Sequence, residues 1–339
     1  MKRILVALSG GVDSAAACIL LRQQGYEVGG ATMLLRDGGE GEAEDARRAA
    51  LALGIDFHCF DLRKEFEDIV IGDFRKVYVS GGTPNPCVLC NREMKFGIFL
   101  ERALDLGYDG IATGHYARLK KEGGRTLLLR AEDLRKDQSY MLCTLNQWQL
   151  SHSLFPLGQV MSKEETRGLA LAAGLDLAKK RDSQDICFVP EGDYMAYLTD
   201  RGLIPQEGNF ISAQGEILGK HRGLEAYTVG QRRGLGMTFG KPTYVLGKQG
   251  TDVILGDNEE LFSRRVRVTQ VNYIPFDKPT EPIFVQAKLR YSAKAAEATL
   301  IPGEDSCELV FEQPQRAVTP GQTAVFYDGD TVIGGGLIQ

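Results

Sequence analysis

The chain has 339 residues, of which 43% are apolar and 25% are charged, as is typical of globular proteins. This length predicts two or three domains. The formal net charge of −5 excludes a uniformly basic surface, although a local basic stripe on an acidic protein can still bind RNA. The first apolar run spans only residues 4–8, too short for a signal peptide or a membrane helix, so we expect a cytoplasmic protein with no membrane partner. Seven cysteines favour thiol, metal or redox chemistry over a disulfide framework.

A glycine-rich turn, Ser9-Gly10-Gly11-Val12-Asp13-Ser14, connects the apolar run 4–8 to a predicted helix at 15–24. The free N–H groups of such a turn and the helix dipole both favour an anion, so the turn predicts a phosphate site. It is not a Walker A loop, because no Gly-Lys-Ser/Thr follows, and it lacks the third glycine of the dinucleotide fingerprint. A simple strand-to-helix connection is the alternative interpretation.

Strands and helices alternate after this turn. The spacing predicts a parallel, doubly wound sheet that binds its ligands at the carboxyl ends of the strands, beside residues 9–14. The predicted elements are a strand at 27–35, a helix at 42–53, a strand at 55–60, helices at 65–79 and 92–106, and a strand at 111–116.

A loop of fixed shape is predicted at 80–91, because its prolines and glycines are incompatible with regular structure. We expect Asn91 to cap the helix that follows, which leaves Cys90 at the helix N-terminus, where the dipole favours the thiolate. Gly114 and His115 follow at a strand end, where they would face nucleotide and substrate. A lone histidine is, however, more often structural.

The later segments carry charge and a further cysteine. Residues 132–140 are interpreted as a solvated loop, and Ser162 with Glu165 predicts the start of a helix at 163–173. Basic residues within 179–189 precede Cys187, a combination that attracts anions and favours a thiolate.

The pattern changes from about residue 197, where short apolar runs and glycines replace long helices. We predict a hairpin at 208–219, a basic glycine-rich loop at 227–236 and, beyond them, a closed or nearly closed small β-barrel. The predicted domains are 1–196, 197–258 and 259–339. The predicted barrel strands are 264–271, 283–291, 295–300, 306–311, 324–327 and 331–338.

Taken together, the motifs of the chain resemble the tRNA-specific 2-thiouridylases of the MnmA/TrmU family, and the first motif resembles the pyrophosphate-binding loop (PP-loop) of ATP pyrophosphatases. The resemblance extends over essentially the whole chain, in order. Its motifs are residues 9–14, 83–86, 90–92, 113–118, 136–140, 185–188, 230–236 and 290–291.

This resemblance implies a PP-loop ATP pyrophosphatase domain, a small central domain and a C-terminal β-barrel, which together bind the anticodon arm of tRNAs for Lys, Glu and Gln. It implies that ATP adenylates the C2 oxygen of the wobble uridine (U34), that sulfur attacks C2, and that AMP leaves, giving 2-thiouridine. The target base must leave the anticodon stack to expose C2.

The resemblance also implies three groups of site residues. ATP, with Mg²⁺ positioned by Asp13, would be bound by Ala7, Leu8, Ser9, Gly10, Gly11, Val12, Asp13, Ser14, Met33 and Gly114. The tRNA would be bound by Asn85, Pro86, Cys87, His115, Lys136, Asp137, Gln138, Arg290, Tyr291 and Gln322, the first three against the target base. Cys187 would carry a persulfide, and Cys90 would release its sulfur, leaving a disulfide.

Cys87 departs from the family pattern, because many members have aspartate there. Cys87, Cys90 and Cys187 provide three thiols, which suit a catalytic metal site with an open position or a [4Fe–4S] cluster whose fourth iron binds sulfide. The favoured interpretation is this cluster, as in a cysteine-rich, MnmL-like subgroup. A persulfide relay with Cys87 as resolving thiol and a structural zinc site are the alternatives. We interpret Cys18, Cys59, Cys143 and Cys307 as core residues.

The sulfur donor is open between a cysteine desulfurase or relay protein and inorganic sulfide. Two rival functions also remain. An amidotransferase-type synthetase would share residues 9–14 without needing the thiols, and a non-catalytic tRNA-binding protein would keep Arg290 and Tyr291 without needing Asp13.

Overall fold

A parallel sheet of five strands forms the N-terminal part of the molecule, in the order β3-β2-β1-β4-β7. The computed structural model describes residues 1–173, 186–189 and 192–339. Consecutive side chains of the central strand point to opposite faces: Leu5 packs in the cluster that contains Phe99, whereas Ile4 packs in the cluster that contains Ala15. The sheet is therefore covered on both faces, as predicted. Its strands are β1 Arg3–Ala7, β2 Glu27–Leu34, β3 Phe57–Asp61, β4 Gly110–Ala112 and β7 Ser153–Leu154.

Two of the helical runs in this part contain a π-helical segment. One π segment, Glu67–Ile71, connects α3 to α4, and the other, Cys90–Ile98, connects α5 to α6. The helices are α1 Val12–Gln23, α2 Glu40–Leu53, α3 Arg63–Phe66, α4 Gly72–Val79, α5 Pro86–Leu89, α6 Phe99–Asp105, α7 Gln147–Ser151, α8 Lys163–Ala172 and α9 Tyr194–Asp200. None of the helices within the described residues is long and apolar enough to span a membrane.

The predicted cap at Asn91 is wrong, because the helix begins at Pro86, six residues earlier than expected in the sequence interpretation. Proline suits the first helical position, because its fixed φ matches the helix and because the N–H that it lacks would have no acceptor within the helix. Asn91 is instead buried inside the π segment and donates a hydrogen bond from Nδ2 to Met141 O (3.0 Å). Cys87 and Cys90 consequently lie on the first two turns of one continuous helical run.

A sheet of four strands follows, in the order β10-β11-β8-β9. β8 and β9 form the predicted antiparallel hairpin, and Phe210, Tyr227 and Val253 are buried beneath the sheet. The strands are β8 Gly208–Ser212, β9 Ile217–His221, β10 Tyr244–Gln249 and β11 Asp252–Gly256.

The last six strands close into a barrel, because β12 pairs with both β15 and β17. This confirms the predicted barrel. The hairpin of β5 and β6, from the N-terminal part, extends the same sheet through β17, with Thr331 opposite Leu129. The strands are β5 Ala117–Glu122, β6 Arg125–Arg130, β12 Phe262–Tyr273, β13 Ile283–Lys288, β14 Ala296–Pro302, β15 Ser306–Arg316, β16 Thr323–Asp328 and β17 Thr331–Ile338.

Candidate active site and nucleic-acid interface

The turn between β1 and α1 is held in shape by Ser14. Its hydroxyl donates to Gly11 O (3.0 Å) and accepts from the N–H of Ser9 (3.3 Å). Ser14 is buried, whereas Ser9 is exposed, with its own hydroxyl 3.4 Å from that of Ser14. The first-turn N–H groups of α1 have no acceptor within the helix, so together with Ser9 they provide the donors that a phosphate group needs.

Two glycines allow neighbouring segments to approach this turn. Gly10 has φ +66°, and a Cβ atom there would lie 2.6 Å from Asp45 Cβ on α2. A Cβ atom on Gly114 would lie 3.0 Å from the Asp13 carbonyl carbon and from Ser14 N. Gly114 therefore lies directly against the turn, and its expected contact with the nucleotide stays a prediction. Among the other predicted ATP-binding residues, Leu8 and Val12 are buried, and Ala7, Gly11 and Met33 are half-buried.

Asp13, on the first turn of α1, is held by two side chains from distant parts of the chain. Lys163 Nζ contacts both carboxylate oxygens (2.9 and 2.8 Å), and the Tyr116 hydroxyl donates to Oδ1 (2.8 Å). The Lys163 side chain is only 11% exposed and that of Asp13 is 30% exposed. The sequence interpretation gave no role to Lys163 or to Tyr116. No spacing rule connects either residue to Asp13, because both contacts depend on tertiary packing. The Lys163 contact depends on how α8 packs against α1.

The three candidate cysteines share one electrostatic environment. Cys87 and Cys187 are exposed and Cys90 is half-buried, yet the surrounding protein partly removes each thiol from water and so raises its pKa. Burial, which is the largest effect, and the nearby Cys187 and Cys87 thiols together raise the pKa of Cys90 to about 11. The expected position of Cys90 at a helix N-terminus is wrong, because the helix begins at Pro86, and the surroundings of this thiol disfavour the thiolate.

Lys95 opposes this effect at all three thiols, since its positive charge lowers the pKa of Cys87, Cys90 and Cys187. The π segment accounts for its position. Hydrogen bonds from residue i to i+5 bring Lys95 above Cys90 on the same helical face. Nothing in the sequence indicated that Lys95 lies beside Cys90, because in a regular α-helix residue i+5 does not lie on the same face as residue i.

A metal cluster does not fit this arrangement. Within residues 1–173, 186–189 and 192–339, no three His, Cys, Asp or Glu side chains are grouped closely enough to hold a metal ion. The basic residues predicted before Cys187, at 179–185, lie outside the described residues. The interpretation of Cys59 as a core residue is wrong, because Cys59 is exposed on the edge strand β3, whereas Cys18, Cys143 and Cys307 are buried as expected.

A cavity of about 670 Å³ opens beside Phe188, the neighbour of Cys187, at the carboxyl ends of β2 and β3. Arg36 and Arg63 line it, but Arg36 is paired with Glu42 (2.6 Å), and Arg63 is paired with aspartates. The cavity therefore lies next to the Cys187 segment and has no strong excess of positive charge.

Two predicted tRNA-binding residues of the barrel, Gln322 and Tyr291, contact loops of the N-terminal part. Gln322, in the barrel, donates from Nε2 to Thr83 O (3.0 Å) and Pro84 O (3.1 Å). The Tyr291 hydroxyl donates to Asp137 O (3.3 Å), so the barrel also contacts the loop at 136–138. Tyr291 is 41% exposed and could stack on a base, and Lys288 lies over its ring, with Nζ 5.5 Å from the centroid.

Other residues of this predicted set are occupied within the protein. The Asp137 carboxylate accepts from the N–H groups of Ala131 and Ser139 (both 3.1 Å) and from the Ser139 hydroxyl (2.9 Å). His115 is only 9% exposed, its Nδ1 lies 2.7 Å from Thr113 Oγ1, and burial holds its pKa well below the usual value. The ring of His115 is thus held within the protein, and its expected contact with tRNA stays a prediction. Arg290 donates to Arg316 O (3.1 Å) and Ala317 O (3.0 Å).

Family models match the chain in three consecutive parts. The model described as "tRNA methyl transferase HUP domain" matches residues 2–191, "tRNA methyl transferase PRC-barrel domain" matches 197–255, and "Aminomethyltransferase beta-barrel domain" matches 263–338. These matches follow the same order as the parallel sheet, the four-stranded sheet and the closed barrel.

Full-length relatives agree with these matches. The tRNA-specific 2-thiouridylase MnmA of Halothermothrix orenii is 47% identical, and that of Acetivibrio thermocellus is 45% identical, each over 100% of this chain and 99% of its own length. The tRNA-specific 2-thiouridylase MnmA 1 of Clostridium botulinum (strain Okra / Type B1) is 44% identical over 99% of this chain and 98% of its own. This similarity spans all three parts of the molecule, and we conclude that the chain belongs to the family of tRNA-specific 2-thiouridylases, MnmA.

Proposed function

We propose that this protein is an ATP-dependent tRNA 2-thiolase, which replaces the C2 oxygen of the wobble uridine (U34) with sulfur in tRNAs for Lys, Glu and Gln. The observation that carries the proposal is the position of one segment. The run from Asn85 to Cys90 carries two of the three thiols, and the residues just before it are fixed to the barrel through Gln322. Candidate sulfur chemistry and candidate tRNA contacts thus meet on one segment. We assign residues 1–196 to catalysis, with 197–258 and 259–339 completing the tRNA surface, and we place the enzyme in the cytoplasm.

The first step is attack of the uridine C2 oxygen on the α-phosphorus of ATP, with pyrophosphate as the leaving group. The turn at Ser9–Ser14 would hold the phosphates through its hydroxyls and the N–H groups of α1. Asp13 is a suitable Mg²⁺ ligand, because carboxylate oxygens are the protein ligands that Mg²⁺ prefers, and bound Mg²⁺ would offset phosphate charge. Adenylation turns the C2 oxygen into part of a good leaving group, AMP.

The second step transfers sulfur. In the persulfide route, the outer sulfur of a Cys187 persulfide attacks C2 and AMP departs with the former C2 oxygen. The Cys90 thiolate then attacks the inner sulfur of Cys187, which breaks the S–S bond and leaves 2-thiouridine with a Cys90–Cys187 disulfide. A cellular thiol must reduce this disulfide before the next turnover. The arrangement of the thiols supports this route, since Cys187 lies near enough to Cys90 to raise the pKa of the Cys90 thiol.

The alternative is direct transfer of sulfide from a [4Fe–4S] cluster held by Cys87, Cys90 and Cys187. The three thiols are not grouped as metal ligands within the described residues, so cluster binding would require them to move closer together. We therefore derive no step through a cluster. The presence of Cys87, where many relatives have aspartate, is the reason for testing it directly.

Mass spectrometry of unmodified tRNA tests the proposal. Metal-free enzyme with ATP, Mg²⁺ and a cysteine desulfurase is compared with anaerobically iron–sulfur-reconstituted enzyme supplied with inorganic sulfide. We expect 2-thiouridine at position 34 in the first reaction, loss of product in Cys187→Ser, and normal product in the control Cys59→Ser, which removes another exposed thiol. Product only from the reconstituted enzyme would replace the persulfide route with the cluster route. No product in either reaction would refute the function.

ATP–pyrophosphate exchange separates the rival functions. A thiolase exchanges pyrophosphate in a tRNA-dependent manner, an amidotransferase-type synthetase ignores tRNA, and a non-catalytic tRNA-binding protein shows no exchange.

A further inference from the structure

Tyr116 connects two parts of the site that the sequence motifs treat separately. Its backbone is paired with Gln138 of the loop at 136–138: the Tyr116 N–H donates to Gln138 Oε1 (3.0 Å), and the Gln138 N–H donates to Tyr116 O (2.8 Å). The phenol of the same residue donates to Asp13 Oδ1 (2.8 Å). One buried residue, 4% exposed, therefore joins a proposed tRNA-contact loop to the proposed ATP turn.

The loop at 136–138 is also attached to the barrel. The Tyr291 hydroxyl donates to Asp137 O (3.3 Å), and the Asp137 carboxylate fixes the loop through Ala131 and Ser139. A nucleic acid that contacts Lys136 or Tyr291 would act on a loop that is connected to the Tyr116 backbone by two hydrogen bonds, one from the Gln138 N–H and one to the Gln138 side chain. Tyr116 packs tightly with Ala16 and Leu157, so its ring moves together with its backbone.

The position of the phenol matters because Mg²⁺ would compete with a side chain that already binds Asp13. In this structure, Lys163 Nζ contacts both carboxylate oxygens of Asp13. Among the contacts seen within the described residues, the Tyr116 hydroxyl is a second, uncharged donor to this carboxylate, and it would keep the direction of the carboxylate while Mg²⁺ competes with Lys163.

Building on the proposed function, we propose that Tyr116 is a positioning residue that couples tRNA contact at the loop 136–138 to Asp13 of the ATP turn, so that ATP cleavage responds to bound tRNA. Hydrogen bonds to charged groups are among the stronger ones in proteins, so removing the phenol hydroxyl has a measurable effect.

The test is ATP–pyrophosphate exchange by the full-length Tyr116→Phe variant with saturating unmodified tRNA over a Mg²⁺ titration, beside calorimetric titration with ATP and Mg²⁺ in the absence of tRNA. Phenylalanine keeps the ring and the backbone pairing with Gln138, so the fold is retained. We expect tRNA-dependent exchange to fall about tenfold or more and the Mg²⁺ concentration for half-maximal exchange to rise, whereas ATP affinity without tRNA should stay within about twofold. The tRNA affinity, measured by filter binding, should also stay within about twofold. Tyr26→Phe removes a half-buried phenol that packs against the helical layer containing α1 and serves as the matched control, with unchanged exchange.

Gln138→Met is the second variant, because it removes the Oε1 acceptor while keeping the side-chain length. At saturating tRNA it should reproduce the loss of exchange with Asp13 and Tyr116 intact. Wild-type exchange in Tyr116→Phe refutes the coupling, and so does a loss of ATP affinity without tRNA as large as the loss of exchange, which would make Tyr116 a support of the ATP turn alone. A wild-type enzyme that shows neither exchange nor thiolation refutes the proposed function itself, and the coupling with it.

Discussion

At Cys90, burial and the charge of Lys95 act in opposite directions on the thiol, and burial is the larger effect. A pKa of about 11 leaves roughly one thiol in ten thousand ionised at pH 7, far fewer than for a free cysteine. We therefore expect Cys90 of the resting enzyme to react slowly with alkylating agents at neutral pH.

Alkylation measures this directly. Because the thiol ionises with a pKa near 11, its rate of reaction with iodoacetamide should rise about tenfold per pH unit from pH 7 to pH 10 without levelling off. Lys95→Met removes the charge that lowers the pKa, so we expect slower alkylation of Cys90 at every pH in this range. Lys120→Met changes an exposed lysine on β5 and should have no effect. The rate is followed by fragment-ion mass spectrometry, and a plateau near pH 8.5 would contradict the assigned pKa.

At the residue scale, the sequence shows which side chains can carry out chemistry, but it does not show their protonation state. The spacing of Cys87 and Cys90 predicted a thiol site, but the dipole argument that predicted a thiolate could not include burial, which depends on packing. Lys163 illustrates a second limit, which is that the sequence does not show contacts between distant segments. It is separated from Asp13 by 150 residues, and only the packing of α8 against α1 brings the two together.

Among the elements, α2 limits the shape of the ATP turn. Gly10→Ala should destabilise the protein, because the new methyl group would lie 2.6 Å from Asp45 Cβ and because φ is +66°. Gly38→Ala is the matched control, since Gly38 has φ +77° with nothing within 4 Å of the added Cβ. We expect the control to cost about 1–2 kcal/mol of unfolding free energy from backbone strain, and Gly10→Ala to cost about 1–3 kcal/mol more.

Urea unfolding measures both variants, and calorimetric titration with ATP measures the turn. We expect Gly10→Ala to weaken ATP binding and Gly38→Ala to leave it unchanged. Equal unfolding free energies for the two variants would show that α2 does not press on the turn. Equal ATP affinity for Gly10→Ala and the wild type would show that the turn is not the phosphate site.

The sequence predicted the kind of each element better than its partners. The pattern at 331–338 predicted β17 at its observed bounds, because its turn signals are sharp. The start of the helix at Pro86 was missed, because two prolines and two glycines in one stretch indicated a loop, although proline is well suited to a first helical turn. The π segment was not predictable, since apolar spacing alone does not distinguish i+4 from i+5 bonding.

Over the whole molecule, the loop at 80–86 of the N-terminal part is contacted by both of the other parts, the central part and the barrel. Thr228 Oγ1 accepts a hydrogen bond from Thr83 Oγ1 (3.3 Å), and the Lys248 side chain packs over Gly81, both from the central part. The barrel contributes Pro320 O, which accepts from Thr83 N (2.9 Å), and the amide of Gln322. The resemblance could suggest that residues of the three parts bind a common ligand, whereas the structure shows that several of them contact each other. These contacts could not be predicted, because the sequence pattern of one part does not show where the other parts dock.

Gln322 tests whether this docking shapes catalysis. Its amide makes two hydrogen bonds to the backbone of the loop that leads to Asn85, so Gln322→Leu should loosen the loop beside the target base. With about 1 kcal/mol for each lost bond, we expect kcat for thiolation to fall about tenfold to thirtyfold, with a smaller change in tRNA affinity. ATP affinity should be unchanged, because the turn at Ser9–Ser14 makes no use of this contact. Gln315→Leu removes a barrel glutamine whose amide bonds only locally to Gln313 O (2.8 Å) and should behave as wild type. A variant that loses tRNA affinity but keeps kcat would instead identify Gln322 as a direct tRNA ligand, and would show that the barrel acts by holding the substrate rather than by shaping the loop.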